Sequence, residues 1–443
     1  MIEILKKSFE INSEKTAFRT NCEQITYGEL WNLAKRYAFS LKDGNTPVIV
    51  KGDKQVHMLA GFIGCLMASR AYIPCDENIP PLRFEYLKSI SCADTVIDSS
   101  FVPSDKTLDC FENNDDATAY IIFTSGSTGK PKGVPVSRKN LKTFITKLLM
   151  RLPPLVDFSG ETVLNQARFS FDLSVADIYF SLCSGSTLFA LEPSIQHNPH
   201  ALIDALTKSG ASVAVMTPTF AKYCLCMPEF GKELMPQLKS IFFCGETLEP
   251  KTVRKLFECF DGIKIINAYG PTEATCAVCA AEITPEMCKA DILPVGKTDL
   301  TTCKIIIDNG EILLDGDSVF GGYLGSEPLT DEYRTGDTGE IRNGYIYCFG
   351  RKHGYIKYKG HRIEPDEIKN AILGIDGVEQ CKVITVINAS GTVTGITAKA
   401  VSFSLCEAEI KAKLSEILPD YMMPKSIKVL DGITFNSNGK QSL

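Results

Sequence analysis

Hydrophobic positions along this chain follow two patterns that alternate. Short runs rich in β-branched and aromatic residues, such as "TPVIVKG", "SVAVMTP", "KSIFFCG" and "IKIINAYG", read as strands. Between them lie stretches of helical period, among them "YGELWNLAKRYAFSLK" and "EPKTVRKLFECF". Strand and helix in alternation predict an α/β protein. The pattern changes near Asp308. From there to Gly350, Gly/Asp-rich turns crowd among "KIIID", "GEILLDG" and "GYIYCFG", which predicts an antiparallel or barrel-like β section. From Arg351 onward strand and helix mix again, with helices expected in "PDEIKNAIL" and "EAEIKAKLSEIL". That segment is long enough for a small α+β domain of its own. The boundary is expected in the Gly- and Lys-rich "GRKHGYIKYKGHR", with a large domain over 1–352 and a small one over 353–443 hinged at His353.

Bulk properties narrow the function. A chain of 443 residues is too long for one core, and 44% hydrophobic with 23% charged residues describes an ordinary globular protein. A net charge of −6 argues against nucleic acid or a membrane surface as the main partner. The start "MIEILKKSFE" carries charges and no long apolar core, so no secretory signal is expected. The apolar stretch from His57 to Ile73 is broken by Ser69 and Arg70, too early for a membrane span. The 17 cysteines are scattered, for example Cys65, Cys183, Cys303 and Cys348, as reduced thiols would be in a cytoplasmic protein. Cys276 and Cys279 form one CxxC without a second ligand pair, and no histidine sits in a ligand motif; a metal held by protein alone is not expected.

Candidate chemistry concentrates in "IIFTSGSTGKPKGV", Ile121 to Val134. The run Ala119 to Phe123 reads as a buried strand. In the loop that follows, Gly126, Gly129 and Gly133 let backbone N–H groups turn inward. Thr124, Ser125, Ser127 and Thr128 add hydroxyls, and Lys130 and Lys132 add positive charge, which together make a phosphate cradle. It is not the usual P-loop: two residues, not four, separate Gly126 from Gly129, and "GVPVS" reads as a strand where that motif opens a helix. A plain surface turn is the alternative. In "NAYGPTEAT", Asn267 to Thr275, an aromatic ring beside a Gly-Pro turn suits a nucleobase and Glu273 suits a hard cation, with a simple β-turn as the other reading. Asp172 stands among apolar neighbours in "FSFDLSVAD", either as a structural acceptor or as counter-ion to a buried cation.

Together these motifs resemble the adenylate-forming superfamily, and within it the D-alanine–carrier protein ligases, from "ITYGELW" nearly to the "NGK" that ends at Lys440. The resemblance implies a large N-terminal domain of α/β subdomains with a β-rich subdomain, and a small mobile α+β C-terminal domain. It implies ATP and Mg²⁺, with residues 124–129 and Lys132 on the phosphates and Gly245 and Glu246 of "CGE" passing the adenine. Asn267, Ala268, Tyr269 and Gly270 would frame the base, with Tyr269 stacked on it, and Thr272 would bond the α-phosphate. Glu273 would bind Mg²⁺, and Asp337 of "YRTGD", supported by Arg351, would hold the ribose. Lys440 would be the catalytic lysine, and Gly360 would line the thiol channel. A desolvated ammonium between two anions offsets repulsion of roughly several kcal/mol.

By motif position the substrate pocket is expected to be lined by Asp172, Leu173, Ala176, Val215, Phe242, Cys244, Ala268 and Cys276. Asp172 would pair with an α-ammonium, which favours an amino acid over a fatty or aryl acid. Ala176 stands where the D-alanine ligases have Met, Ala268 where they have Thr, and Cys276 where they have Val. Met to Ala removes about three heavy atoms of wall. A neutral amino acid, D-alanine or a larger apolar one, is therefore expected. His353 replaces the hinge Asp of relatives, Tyr355 stands where they often have Gln, and the region between "PVGK" and "YRTGD" is shorter than usual. Only three residues follow Lys440, so the thiol is expected on a separate carrier protein's phosphopantetheine. A stand-alone peptide-synthetase adenylation domain, an acyl-CoA ligase and a non-catalytic relative are the alternatives.

Overall fold

Four parallel strands, Thr162–Asn165, Val213–Met216, Ser240–Phe243 and Lys264–Tyr269, lie side by side at the centre of an eight-stranded sheet. The molecule is described here as a computed structural model that covers residues 1–111, 114–126, 130–152, 160–196, 198–351, 356–388 and 393–430. Every residue of Val213–Met216 and Ser240–Phe243 is buried, which explains why these strands read as unbroken apolar runs. Successive residues face opposite ways. Val213, Val215 and Phe242 join one apolar core, and Ala214, Met216, Ile241 and Phe243 join another on the opposite face.

The sheet continues through Thr187–Ala190 to Thr16–Arg19 and Gln24–Thr26 on one side, and ends in antiparallel Cys279–Ile283 on the other. A second sheet orders Thr95–Ile97, Val48–Gly52, Tyr72–Asp76, Thr118–Thr124 and Lys132–Ser137. The β section expected near Asp308 is a five-stranded antiparallel sheet in the order Gly296–Lys297, Tyr345–Arg351, Tyr333–Arg342, Glu311–Asp315, Lys304–Asp308. The expected helices appear at Tyr27–Leu41, opened by a Thr26/Glu29 capping box, and at Pro250–Cys259 with Pro in its first turn.

The chain divides into two compact units. One holds Met1–Glu77, Ser91–Ile122 and Val134–Lys352; the other holds Asn78–Ile90, Phe123–Gly133 and His353–Leu443. The second unit thus combines the C-terminal segment with the Gly-rich loop and most of the helix Pro81–Ser91. It contains a three-stranded sheet, Val378–Ile387, Val393–Ser402 and Ile427–Leu430, packed with helices Pro365–Leu373 and Glu407–Ser415 around its own core. A hairpin of Ile356–Tyr358 and His361–Ile363 turns through Lys359 and Gly360, at φ 52° and 82°. Two consecutive left-handed residues make that turn, which suits Gly at position 360.

Candidate active site

Parallel strands that end together deliver their following loops to one edge of the sheet, where ligands of open α/β folds bind. Here Asp172 follows Thr162–Asn165, Cys244 to Glu246 follow Ser240–Phe243, and Gly270 to Cys276 follow Lys264–Tyr269. The loop after Tyr269 is tight. A Cβ on Gly270 would lie 2.6 Å from Ala277 Cα and 2.8 Å from Val278 N, and Thr275 and Cys276 both take left-handed φ, 63° and 68°. The hydroxyl of Thr275 donates to Ser318 O at 2.8 Å and anchors that strained turn.

This loop joins two of the expected functions. The Thr272 hydroxyl donates to Asp172 Oδ2 at 2.6 Å, with both residues 8% exposed. The group expected on a phosphate and the group expected on an ammonium are thus in direct contact. Glu273, fully buried, accepts at Oε1 from the Tyr323 hydroxyl at 2.7 Å. The other expected wall residues, Leu173, Ala176, Val215, Phe242, Cys244, Ala268 and Cys276, are all buried and belong to one core. Cys244 donates weakly to Cys276 O at 3.8 Å, and contact with Cys244 together with burial raises the Cys276 thiol well above its ordinary range. Cys276 therefore stays a thiol.

The ribose-side residues also converge. Register places Asp337 opposite Arg351, whose Nε donates to Asp337 Oδ1 at 2.8 Å while Nη2 donates to Thr335 O at 2.6 Å. Tyr269 completes the cluster by donating its hydroxyl to Asp337 Oδ2 at 2.6 Å. Burial, reinforced by the Asp337 carboxylate, pushes the Tyr269 phenol well above its usual value, so it remains a donor. Gly245 takes a φ of 93° beside the Phe171 ring, and Glu246 accepts from Thr219 N at 2.8 Å. Asn267 donates its side-chain amide to Pro294 O at 2.8 Å.

In the second unit the Gly-rich loop leaves the strand Thr118–Thr124 and re-enters a strand at Lys132, as "GVPVS" foretold. A Cβ on Gly126 would collide with the Lys130 carbonyl oxygen, so the loop can close only around glycine. The buried Thr124 hydroxyl has no partner among the described residues, as a donor awaiting an anion would be. Ser125 and Gly126 bond instead to the C-terminal segment. Ser125 Oγ donates to Arg362 O at 2.8 Å and accepts from Glu364 N at 3.1 Å, and Gly126 N donates to Glu367 Oε2 at 3.3 Å. Ser127, Thr128, Gly129, His353, Tyr355 and Lys440 lie outside the described residues.

Two features escaped the sequence reading. Lys54, 1% exposed, donates to the carbonyls of Leu191 at 2.8 Å, Gln166 at 2.9 Å and Asn165 at 3.4 Å, beneath the Asp172 loop. Burial pushes its ammonium down to about 7 while Asp177 pulls the other way. Tyr120 is fully buried, its hydroxyl without a partner among the described residues, although the neighbouring Tyr72 and Tyr179 hydroxyls pair at 3.0 Å. Neither carries a motif: one is a lysine in a turn, the other a strand aromatic.

Among the described residues no group of three or more His, Cys, Asp or Glu side chains is placed to hold a metal ion. The fully buried Glu273 still fits Mg²⁺, an ion usually held by one or two carboxylates while water and nucleotide phosphates fill its other positions. No helix among the described residues is long and apolar enough to cross a membrane.

Comparison with known proteins identifies relatives over the whole chain. A family model described as AMP-binding enzyme matches residues 5–112 and 98–324. The chain is 35% identical to the D-alanine–D-alanyl carrier protein ligase of Bacillus licheniformis, over 99% of this chain and 97% of that protein. It is 34% identical to the protein of the same name from Bacillus cereus, with the same coverage. Among solved structures it is similar to the Vibrio cholerae adenylation domain AlmE in complex with glycyl-adenosine-5'-phosphate, with a TM-score of 0.86 at 20% identity over 98% and 94% of the two chains. It is also similar to an NRPS protein containing adenylation and PCP domains, at a TM-score of 0.84 and 18% identity over 100% and 82%. At those identities the structures speak for the fold.

Proposed function

Because the chain belongs to the AMP-binding enzyme family, we propose that it activates a neutral α-amino acid as its adenylate and passes the acyl group to the phosphopantetheine thiol of a separate carrier protein. The observation that carries this reading is the 2.6 Å bond between Thr272 and Asp172. It puts an acceptor for an α-ammonium next to a hydroxyl suited to the α-phosphate, as joining the two substrates requires.

In the first step the amino acid carboxylate attacks the α-phosphorus of ATP, and the bond to pyrophosphate breaks. Asp172 holds the ammonium, Thr272 fixes Asp172, and the Tyr269–Asp337–Arg351 cluster offers carboxylate oxygens to the ribose hydroxyls. Thr124, Ser125, Gly126, Ser127, Thr128, Gly129 and Lys132 serve the phosphates, and Lys440 stabilises the charge that builds between the two anions. Mg²⁺, held by Glu273 with the phosphates, would supply further charge neutralisation. In the second step the carrier thiol attacks the acyl carbonyl and AMP leaves, with Gly360 at the thiol's approach and His353 at the pivot of the small domain 353–443. The curated relatives named for D-alanine support that substrate, and Ala176, Ala268 and Cys276 leave room for a larger apolar one. The 17 free thiols suit a reducing cytoplasm.

Amino-acid-dependent exchange of labelled pyrophosphate into ATP, screened over the standard amino acids and D-alanine, tests the reading. No exchange with any of them overturns it. Equal exchange with a fatty acid would favour an acyl-CoA ligase, and full exchange by Lys440→Ala would remove the lysine's role.

A further inference from the structure

The segment that follows the strand Glu311–Asp315 crosses the turn Thr272–Cys276 and is bonded to it repeatedly. Thr275 donates its hydroxyl to Ser318 O at 2.8 Å, Phe320 N donates to Glu273 O at 2.8 Å, and the Tyr323 hydroxyl donates to Glu273 Oε1 at 2.7 Å. The segment is itself anchored. Asn140 Nδ2 donates to Asp317 O at 2.8 Å and to Val319 O at 3.0 Å, and the Ser318 and Thr302 hydroxyls pair at 2.8 Å. The Phe320 ring packs edge-on against Tyr323 and Tyr333, with centroids 4.9 and 5.5 Å apart. Just before Tyr323 the chain bends at Gly322, which takes a φ of 124° and would set a Cβ 3.0 Å from Glu327 O. One strap, residues 317–323, therefore holds both the backbone and the carboxylate of Glu273.

The chemistry of that donor matters. Glu273 is fully buried, and a lysine or arginine bonded to it would neutralise the carboxylate and compete with a cation for it. A phenol is neutral: it fixes one carboxylate oxygen and leaves the negative charge in place. Partners bonded to a ligand rather than to the metal set that ligand's orientation and, through it, the metal affinity. We propose that Tyr323 is a positioning residue for the divalent cation, orienting the Glu273 carboxylate so that Mg²⁺ can join it to the nucleotide's phosphates. The inference rests on reading Glu273 as the Mg²⁺ ligand of an adenylating site. It goes beyond that reading by assigning metal affinity to a residue 50 positions from Glu273 and outside its motif.

Calorimetric titration with the non-hydrolysable analogue α,β-methylene-ATP, once in Mg²⁺ and once in EDTA, separates metal from nucleotide. In the unaltered protein Mg²⁺ should tighten the Kd of the analogue. Tyr323→Phe keeps the ring against Phe320 and removes only the donor. Its Kd in Mg²⁺ should rise toward the EDTA value by about tenfold to a hundredfold, while its Kd in EDTA stays within about twofold of the parent. A role limited to packing would move both constants together or neither, and either result overturns the proposal. Glu273→Gln keeps an acceptor for Tyr323 but loses the charge, so it should abolish the tightening, and adding Tyr323→Phe to it should weaken binding in Mg²⁺ no further. A further loss of about tenfold in that background would show that Tyr323 acts by another route, and would also overturn the proposal. An analogue that binds the unaltered protein equally in both buffers, or in neither, would instead overturn the reading of Glu273 as the metal ligand.

Discussion

Thr272→Val separates two roles for one hydroxyl. Valine keeps the β-branched shape in a buried three-residue turn, Thr272–Ala274, and removes only the donor to Asp172. The lost bond is short, at 2.6 Å, and both partners are 8% exposed, so water does not readily replace it. A hydrogen bond to a charged group contributes about 1.5–3 kcal/mol, so the variant should raise the amino acid KM between about tenfold and a hundredfold. On the proposed reading the ATP KM should rise less, because Asp337 and Arg351 would still hold the ribose. Thr272→Ser restores the hydroxyl and should recover the amino acid KM to within about threefold of the parent. Pyrophosphate exchange with each substrate varied in turn measures both constants. An amino acid KM within about twofold of the parent in Thr272→Val, alongside a raised ATP KM, would show that Thr272 serves the phosphate alone and that its bond to Asp172 is incidental.

Other outcomes follow from packing and charge. Gly270→Ala puts a methyl against backbone atoms of Ala277 and Val278 that cannot move aside, and urea unfolding should show a loss of about 1–3 kcal/mol; an unchanged midpoint would refute the close approach. Tyr120→Phe removes a buried hydroxyl without a partner among the described residues and should stabilise the protein by about 1 kcal/mol, so destabilisation of that size would reveal a hidden partner. Lys54 has its ammonium pushed down to about 7 in the folded chain. Above that pH the unfolded chain holds a proton that the folded chain releases, and stability rises with pH by up to about 1.4 kcal/mol per unit, a gain absent in Lys54→Met. Urea titrations of parent and Lys54→Met from about pH 7 to 8.5, in which the cysteines contribute equally to both and cancel in the difference, measure it, and parallel curves for parent and variant would contradict the shift.

The strands of the central sheet were legible because each is short, apolar and buried on both faces, as in Val213–Met216. The motif residues were legible because Gly126 and Gly270 stand where a side chain would strike backbone. Contacts between distant positions were not. Thr272 and Asp172 are 100 residues apart, and Arg83 and Glu367 are 284 apart; each reads locally as an ordinary polar residue. Lys54 was missed for the same reason, since its three carbonyl acceptors belong to other segments. The engagement of Ser125 by Glu364 was hidden because a serine in a loop carries no mark of its partner.

Leu173, Ala176, Val215, Phe242, Cys244, Ala268 and Cys276 are at once the expected lining of the pocket and members of the largest apolar cluster. Selectivity and foldedness therefore draw on the same atoms. A lineage adapting to a bulkier acid must hollow out its own interior, and one adapting to a smaller acid must overfill it. Drift in preference should then proceed through changes of side-chain size at Ala176 and Ala268, each matched by a compensating change elsewhere in that cluster.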